Sequence, residues 1–105
     1  MSTVPVVAII RAKKGRESIL EGILKDLVSA THKEPGCLLY ALHKAASDPG
    51  AFVFVERWKS QQDLEAHLAM PHIAKAMARK EELIESVEIL SLNAISVDKS
   101  TMERF

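Results

Sequence analysis

The chain has 105 residues, 48% of them apolar and 27% charged. That is the size of one domain with one core, and the composition is that of a folded chain. Fourteen Lys and Arg balance fourteen Asp and Glu, so the excess positive charge that displaces counterions from phosphates is missing, and no nucleic acid is expected as a partner.

No apolar run approaches the roughly 20 residues that span a bilayer, so no membrane is expected either. The opening stretch lacks a basic leader and ends in Arg11, Lys13 and Lys14, which reads as a strand and not as a signal peptide. The single cysteine, Cys37, closes no intrachain disulfide. The expected compartment is the cytoplasm.

In chain order, the β-branched run 4–12 predicts a strand, with Pro5 near its start where a lost donor is tolerable. Residues 16–33 follow with helical spacing of Ile19, Leu20, Ile23, Leu24 and Leu27. The stretch Lys33-Glu34-Pro35-Gly36 ends that helix, because Pro35 restricts Glu34 to extended geometry. A second strand is expected over 37–45, a turn at Ser47-Asp48-Pro49-Gly50, and a third strand over 51–58. The short link makes these two an antiparallel hairpin. Ser60 is a plausible N-cap, with Asp63 three residues on, for a helix over 61–69. Pro71 suits the first position of a further helix over 71–83, and residues 86–97 read as the fourth strand. The order predicts an α+β ferredoxin-like fold, βαββαβ, with residues 1–97 as a single domain and 98–105 as a polar tail, mobile or used at an oligomer interface.

The strands are apolar on both sides. Phe52, Phe54, Glu56 and Trp58 share one face of the third strand, and Ala51, Val53, Val55 and Arg57 the other. One layer of helices covers only one face of a sheet, so the second face needs a partner. A second copy of the chain is the expected one, which makes the unit a homodimer with facing sheets. The alternative is a ligand groove in a monomer.

Several residues offer chemistry. His67 and His72 lie five apart around Pro71, without the spacings of a zinc helix, and no metal is expected. Cys37 is read as a packing residue. Glu56, on an apolar strand face, is either a buried general base or the partner of Arg11 or Arg57 in an ion pair. Trp58 either packs or lines a pocket. His67 is either a satisfied core histidine or a site residue. His72, at a helix start where the dipole disfavours a cation, is a candidate base. Tyr40 and His43 fall on opposite faces of the second strand, and His32 is expected to be solvated.

The ordered series Glu34-Pro35-Gly36-Cys37-Leu38-Leu39-Tyr40, then Glu56-Arg57-Trp58, then Leu64-Glu65-Ala66-His67-Leu68-Ala69-Met70-Pro71-His72 resembles the antibiotic biosynthesis monooxygenase domain family. It is most similar to the small stand-alone quinol monooxygenases of that family. The resemblance implies a dimeric α+β barrel and a monooxygenase without cofactor that oxidises a small quinol or polyphenol-like aromatic with O2. It implies His72, His67 and Trp58 in catalysis, and Tyr40, Glu56 and Phe54 in substrate binding. The haem-degrading branch fits poorly, since Met77 stands where its histidine would align and the first strand has no Asn. Two alternatives stay open. One is an isomerase of a small phosphorylated autoinducer-like sugar, with Arg11, Lys44 and Arg57 as cations; the other is a non-catalytic small-molecule-binding stress protein.

Overall fold

Residues 3–96 are described by a computed structural model. Its elements are β1 (Val4–Ala12), α1 (Glu17–Thr31), β2 (Cys37–Ala45), β3 (Asp48–Trp58), α2 (Gln61–Leu68), α3 (Pro71–Met77), α4 (Lys80–Leu83) and β4 (Ile84–Ser91). The four strands form one sheet in the order β2-β3-β1-β4, and every pairing is antiparallel. This is the ferredoxin-like α+β arrangement, in which each helical segment crosses back over the same face of the sheet.

Three boundaries differ from the sequence expectation by more than two residues. The long helix expected over 71–83 breaks at Ala78 and Arg79 into α3 and α4. No Gly or Pro lies there; the chain turns because Leu83 and Ile84 must enter the core, and Lys13 N donates to Leu83 O at 2.8 Å. Tertiary burial overrides the helical propensity of an Ala/Lys/Glu-rich run. Next, β3 begins at Asp48, so the Asp48-Pro49-Gly50 signal marks a register irregularity inside the hairpin. There Asp48 Oδ1 accepts from Gly50 N at 2.9 Å, a local bond that suits a bulge. Finally, β4 ends at Ser91, ahead of the Val97 expected. Val97 and the tail 98–105 lie outside the described residues.

The helix-facing side of the sheet holds the core. Val6, Ala8 and Ile10 of β1 and Phe52, Phe54 and Trp58 of β3 are buried against Leu20, Leu24 and Leu27 of α1. The spacing of four and three residues puts the three leucines on one helix stripe, and Ile19, one position off it, is exposed. The opposite side of the sheet carries Val7, Ile9, Val53 and Val55, half-buried or exposed, aligned across neighbouring strands. It is an apolar face without a covering layer among the described residues.

The connection 32–36 is tied down at both ends by backbone hydrogen bonds. Glu34 N donates to Thr31 O at 3.0 Å, Cys37 N to Glu34 O at 3.1 Å, and Lys59 N to Gly36 O at 2.9 Å. These bonds pin Glu34 between α1 and the sheet. Gly36 lies against α2: a Cβ there would overlap the side chain of Asp63. Asp63 in turn closes the cap of α2, where Ser60 Oγ accepts from Asp63 N at 3.1 Å and donates to Asp63 Oδ2 at 2.9 Å. Gly36→Ala is expected to cost about 1–3 kcal/mol through overpacking. In urea unfolding, the double variant Gly36→Ala/Asp63→Gly should lose less than the sum of the two single losses; strict additivity would refute the contact.

Candidate functional site

The capped start of α2 places Leu64 and His67 three residues apart on one helical face, and both are buried. Pro71 opens α3 and leaves His72 as its second residue. Both imidazoles turn toward the pinned loop. His67 Nδ1 lies 2.8 Å and His72 Nε2 2.7 Å from the same oxygen, Glu34 Oε2. Glu34 is 8% exposed and His67 2%. A buried carboxylate is tolerated when N–H groups satisfy it, and the two rings supply them.

His67 is also held on both flanks. Its ring lies 4.4 Å from Trp58 and 5.2 Å from Tyr40, centroid to centroid. Trp58 is fully buried and donates from Nε1 to Glu56 Oε1 at 2.9 Å. Glu56 therefore meets Trp58. Arg57 belongs to the opposite strand face by alternation, as does Arg11. The ion pair considered from sequence gives way to a carboxyl anchored by an indole N–H.

Between the sheet and helices α2 and α3 lies a cavity of about 90 Å³. Its polar lining is Tyr40, Glu56 and His67; Phe54, Ile73 and Ile89 are among its apolar walls. Four of the six sequence-derived site residues, Tyr40, Phe54, Glu56 and His67, thus meet at one cavity. Trp58 stands behind it as support. His72 lines a different space, a groove of about 420 Å³ between α1 and α3 that also touches Lys75 and Arg79. Glu34 bridges His72 to the cavity residue His67. His72 sits against the carboxylate of Glu34 at the start of a seven-residue helix. His43 is exposed, and His32 Nε2 bonds Tyr40 O at 2.8 Å.

Glu34 is the site residue that sequence reasoning missed. The Pro-Gly that follows it marks a fixed backbone, and that signal carries no information about where the carboxylate points. The cations suggested for a phosphorylated substrate are elsewhere: Lys44 pairs with Glu21 at 2.6 Å, and among the described residues no Lys or Arg lines the cavity.

Burial shifts three groups of the cavity, each toward its neutral form. Burial pulls His67 below the ordinary histidine value, although its hydrogen bond to Glu34 opposes the shift, so its ring is neutral at pH 7. With Nδ1 committed to Glu34, Nε2 is the nitrogen available to a bound molecule. Burial, reinforced by the charge of Glu56, pushes the Tyr40 phenol up, so it stays a donor. Burial also pushes Glu56 above the usual carboxylate range, against the Trp58 hydrogen bond that lowers it. Cys37 follows the same rule: desolvation first, then Glu34 and Glu56, keep it a thiol and not a nucleophile.

Glu34, His67 and His72 are the converging His/acid group among the described residues that invites a metal reading. Their contacts of 2.7 and 2.8 Å are shorter than the roughly 3.3 Å between ligand atoms of a tetrahedral zinc site. Two N–H donors on one carboxylate oxygen account for the convergence.

The shift of Glu56 has a consequence for stability. The folded protein holds this proton more tightly than the unfolded chain, so this contribution is present at low pH and is lost as pH rises from about 4.5 through the native value. Urea midpoints followed from pH 4 to 8 should show Glu56→Gln gaining on the parent as pH rises; parallel curves would count against a perturbed Glu56.

Comparison with known proteins places the fold in a family. The profile described as antibiotic biosynthesis monooxygenase matches residues 3–79. A Mycobacterium tuberculosis protein named "Putative monooxygenase Rv0793" is 32% identical over 83 residues, covering 79% of this chain and 81% of its own. The Escherichia coli protein named "Probable quinol monooxygenase YgiN" is 34% identical over 92 residues, covering 76% and 88%. Among solved structures, PA3566 from Pseudomonas aeruginosa superposes with a TM-score of 0.86 at 30% identity, covering 91% of this chain and 97% of that one. The Rv0793 structure gives 0.82 at 29% identity, covering 91% and 98%. With a profile match over most of its length and relatives above 30% identity, this chain belongs to the antibiotic biosynthesis monooxygenase family.

Proposed function

We propose that this protein is a monooxygenase that oxidises a small quinol-like aromatic with O2 in the cavity lined by Tyr40, Glu56 and His67. The observation that carries the reading is a neutral, buried imidazole facing an apolar cavity with its other nitrogen fixed by a carboxylate. A hydroquinone becomes electron-rich enough to reduce O2 once it loses a proton. His67 Nε2 accepts that proton, and the carboxylate of Glu34 stabilises the imidazolium that results. Tyr40 donates to a substrate oxygen, Phe54 packs on the ring, and Trp58 holds Glu56 and His67 in place. The names borne by the E. coli and M. tuberculosis relatives support the reaction class.

The cavity volume favours a single-ring substrate. At about 90 Å³ the space lies well below the roughly 300–1,000 Å³ of ordinary ligand pockets, so it excludes anything larger than one ring, and one ring with its hydroxyls enters only as the walls give. The same reading includes a homodimer: Val7, Ile9, Val53 and Val55 make an apolar sheet face that a second copy of the chain covers by two-fold symmetry. Residues 1–97 form its domain unit.

Oxygen-electrode assays with hydroquinones should show O2 uptake above the uncatalysed rate, and His67→Ala should lower kcat by about 10²–10⁴-fold while the protein stays folded. Absence of uptake across single-ring and two-ring quinols would overturn the assignment. Sedimentation should give a dimer, and Val55→Asp, placed on the open face, should give monomers; a parent protein that sediments as a monomer would refute the facing sheets.

A further inference from the structure

Two spaces on this protein are connected by one oxygen atom. The cavity is lined by His67 and the α1–α3 groove by His72, and Glu34 Oε2 sits between the rings at 2.8 and 2.7 Å. The ring centroids are 6.2 Å apart. His67 is 2% exposed, whereas the side chain of His72 retains 23% of its exposure and opens to the groove. A single carboxylate charge compensates one imidazolium at this distance. Two would leave a net positive charge beside apolar walls, which burial disfavours.

We propose that Glu34, His67 and His72 form a proton-exchange unit, in which protonation of His67 from the cavity expels a proton from His72 into the groove. The inference rests on the reading of the cavity as the site of reaction and adds to it a route for the proton. The step balances without redox change. A quinol hydroxyl gives its proton to His67 Nε2 and becomes the quinolate. His72 gives its Nδ1 proton to water or a buffer base in the groove. Glu34 keeps its charge and its two N–H bonds throughout, so one imidazolium replaces another within the unit, and the released proton leaves the quinolate paired with the new imidazolium. Reversal of the exchange returns a proton to the cavity when reduced oxygen leaves as water. Glu34 and His72 are positioning residues here, since neither lines the cavity.

Other ionisable groups bear on this unit. Glu56 of β3 and Tyr40 and Cys37 of β2 lie on the cavity side. Asp26 of α1, Lys75 of α3 and Arg79 lie along the groove.

The test is a histidine titration by ¹⁵N NMR on the unliganded protein, which requires no turnover. In the parent, His67 should titrate at lower pH than a free histidine. In His72→Gln, which retains a hydrogen-bond donor for Glu34, the His67 midpoint should move up by about one unit or more, because Glu34 then serves one ring. In Glu34→Gln it should move down. A His67 midpoint unchanged by His72→Gln overturns the exchange unit. In turnover, the acid limb of kcat/KM should move to higher pH in His72→Gln with no change of fold by circular dichroism; a uniform loss of activity without a shifted limb also overturns it. Failure of the parent to oxidise any quinol would defeat the functional reading while leaving the NMR result to decide the proton exchange on its own.

Discussion

A buried carboxylate answered by two imidazoles is the interaction around which this protein is arranged. Glu34 is removed from water, and its charge would be costly without donors. Both donors come from elements distant in sequence, α2 and α3, across 33 and 38 residues. Satisfying that one oxygen fixes the α1–β2 connection relative to both short helices. The backbone bonds of Glu34 and Gly36, together with the contact of Gly36 with Asp63, hold the connection from the other side. Removing either ring leaves the carboxylate partly unanswered, so the positions of α2, α3 and the loop are mutually dependent.

The same contact governs the chemistry of the cavity. Glu34 takes the Nδ1 proton of His67 as a hydrogen bond and so decides which ring nitrogen a bound molecule meets. Trp58 does the equivalent for Glu56. Burial does the rest, holding the imidazole neutral, the phenol protonated and the carboxyl above its usual range within one small space. Desolvation acts on all three side chains in the direction that disfavours charge.

The fold class was legible in the sequence because it depends on local periodicity. Apolar alternation in β1 and β3, the leucine stripe of α1, the Ser60 and Asp63 cap and the Pro71 start are short-range signals, and each element formed about where they lie. The failures were equally physical. A continuous helix over 71–83 is what local propensity favours, and only the burial of Leu83 and Ile84 breaks it. The turn signal at Asp48-Pro49-Gly50 became a bulge because the hairpin closes earlier, at 46–47.

For the site, the sequence by itself determined the inventory. It supplied a tyrosine, a glutamate and a tryptophan on strands, two histidines around Pro71, and a glutamate locked before Pro35. Strand alternation was enough to set Glu56 and Trp58 on the apolar face with Phe54. Only the tertiary structure decided the partnerships: that Glu56 meets Trp58 and not an arginine, that His67 faces the cavity while His72 faces a groove, and that Glu34 joins them. Periodicity tells which side of an element a residue occupies, whereas a hydrogen bond of 2.7 Å across 38 residues depends on the packing of whole elements. That packing is what turned separate motifs into one site.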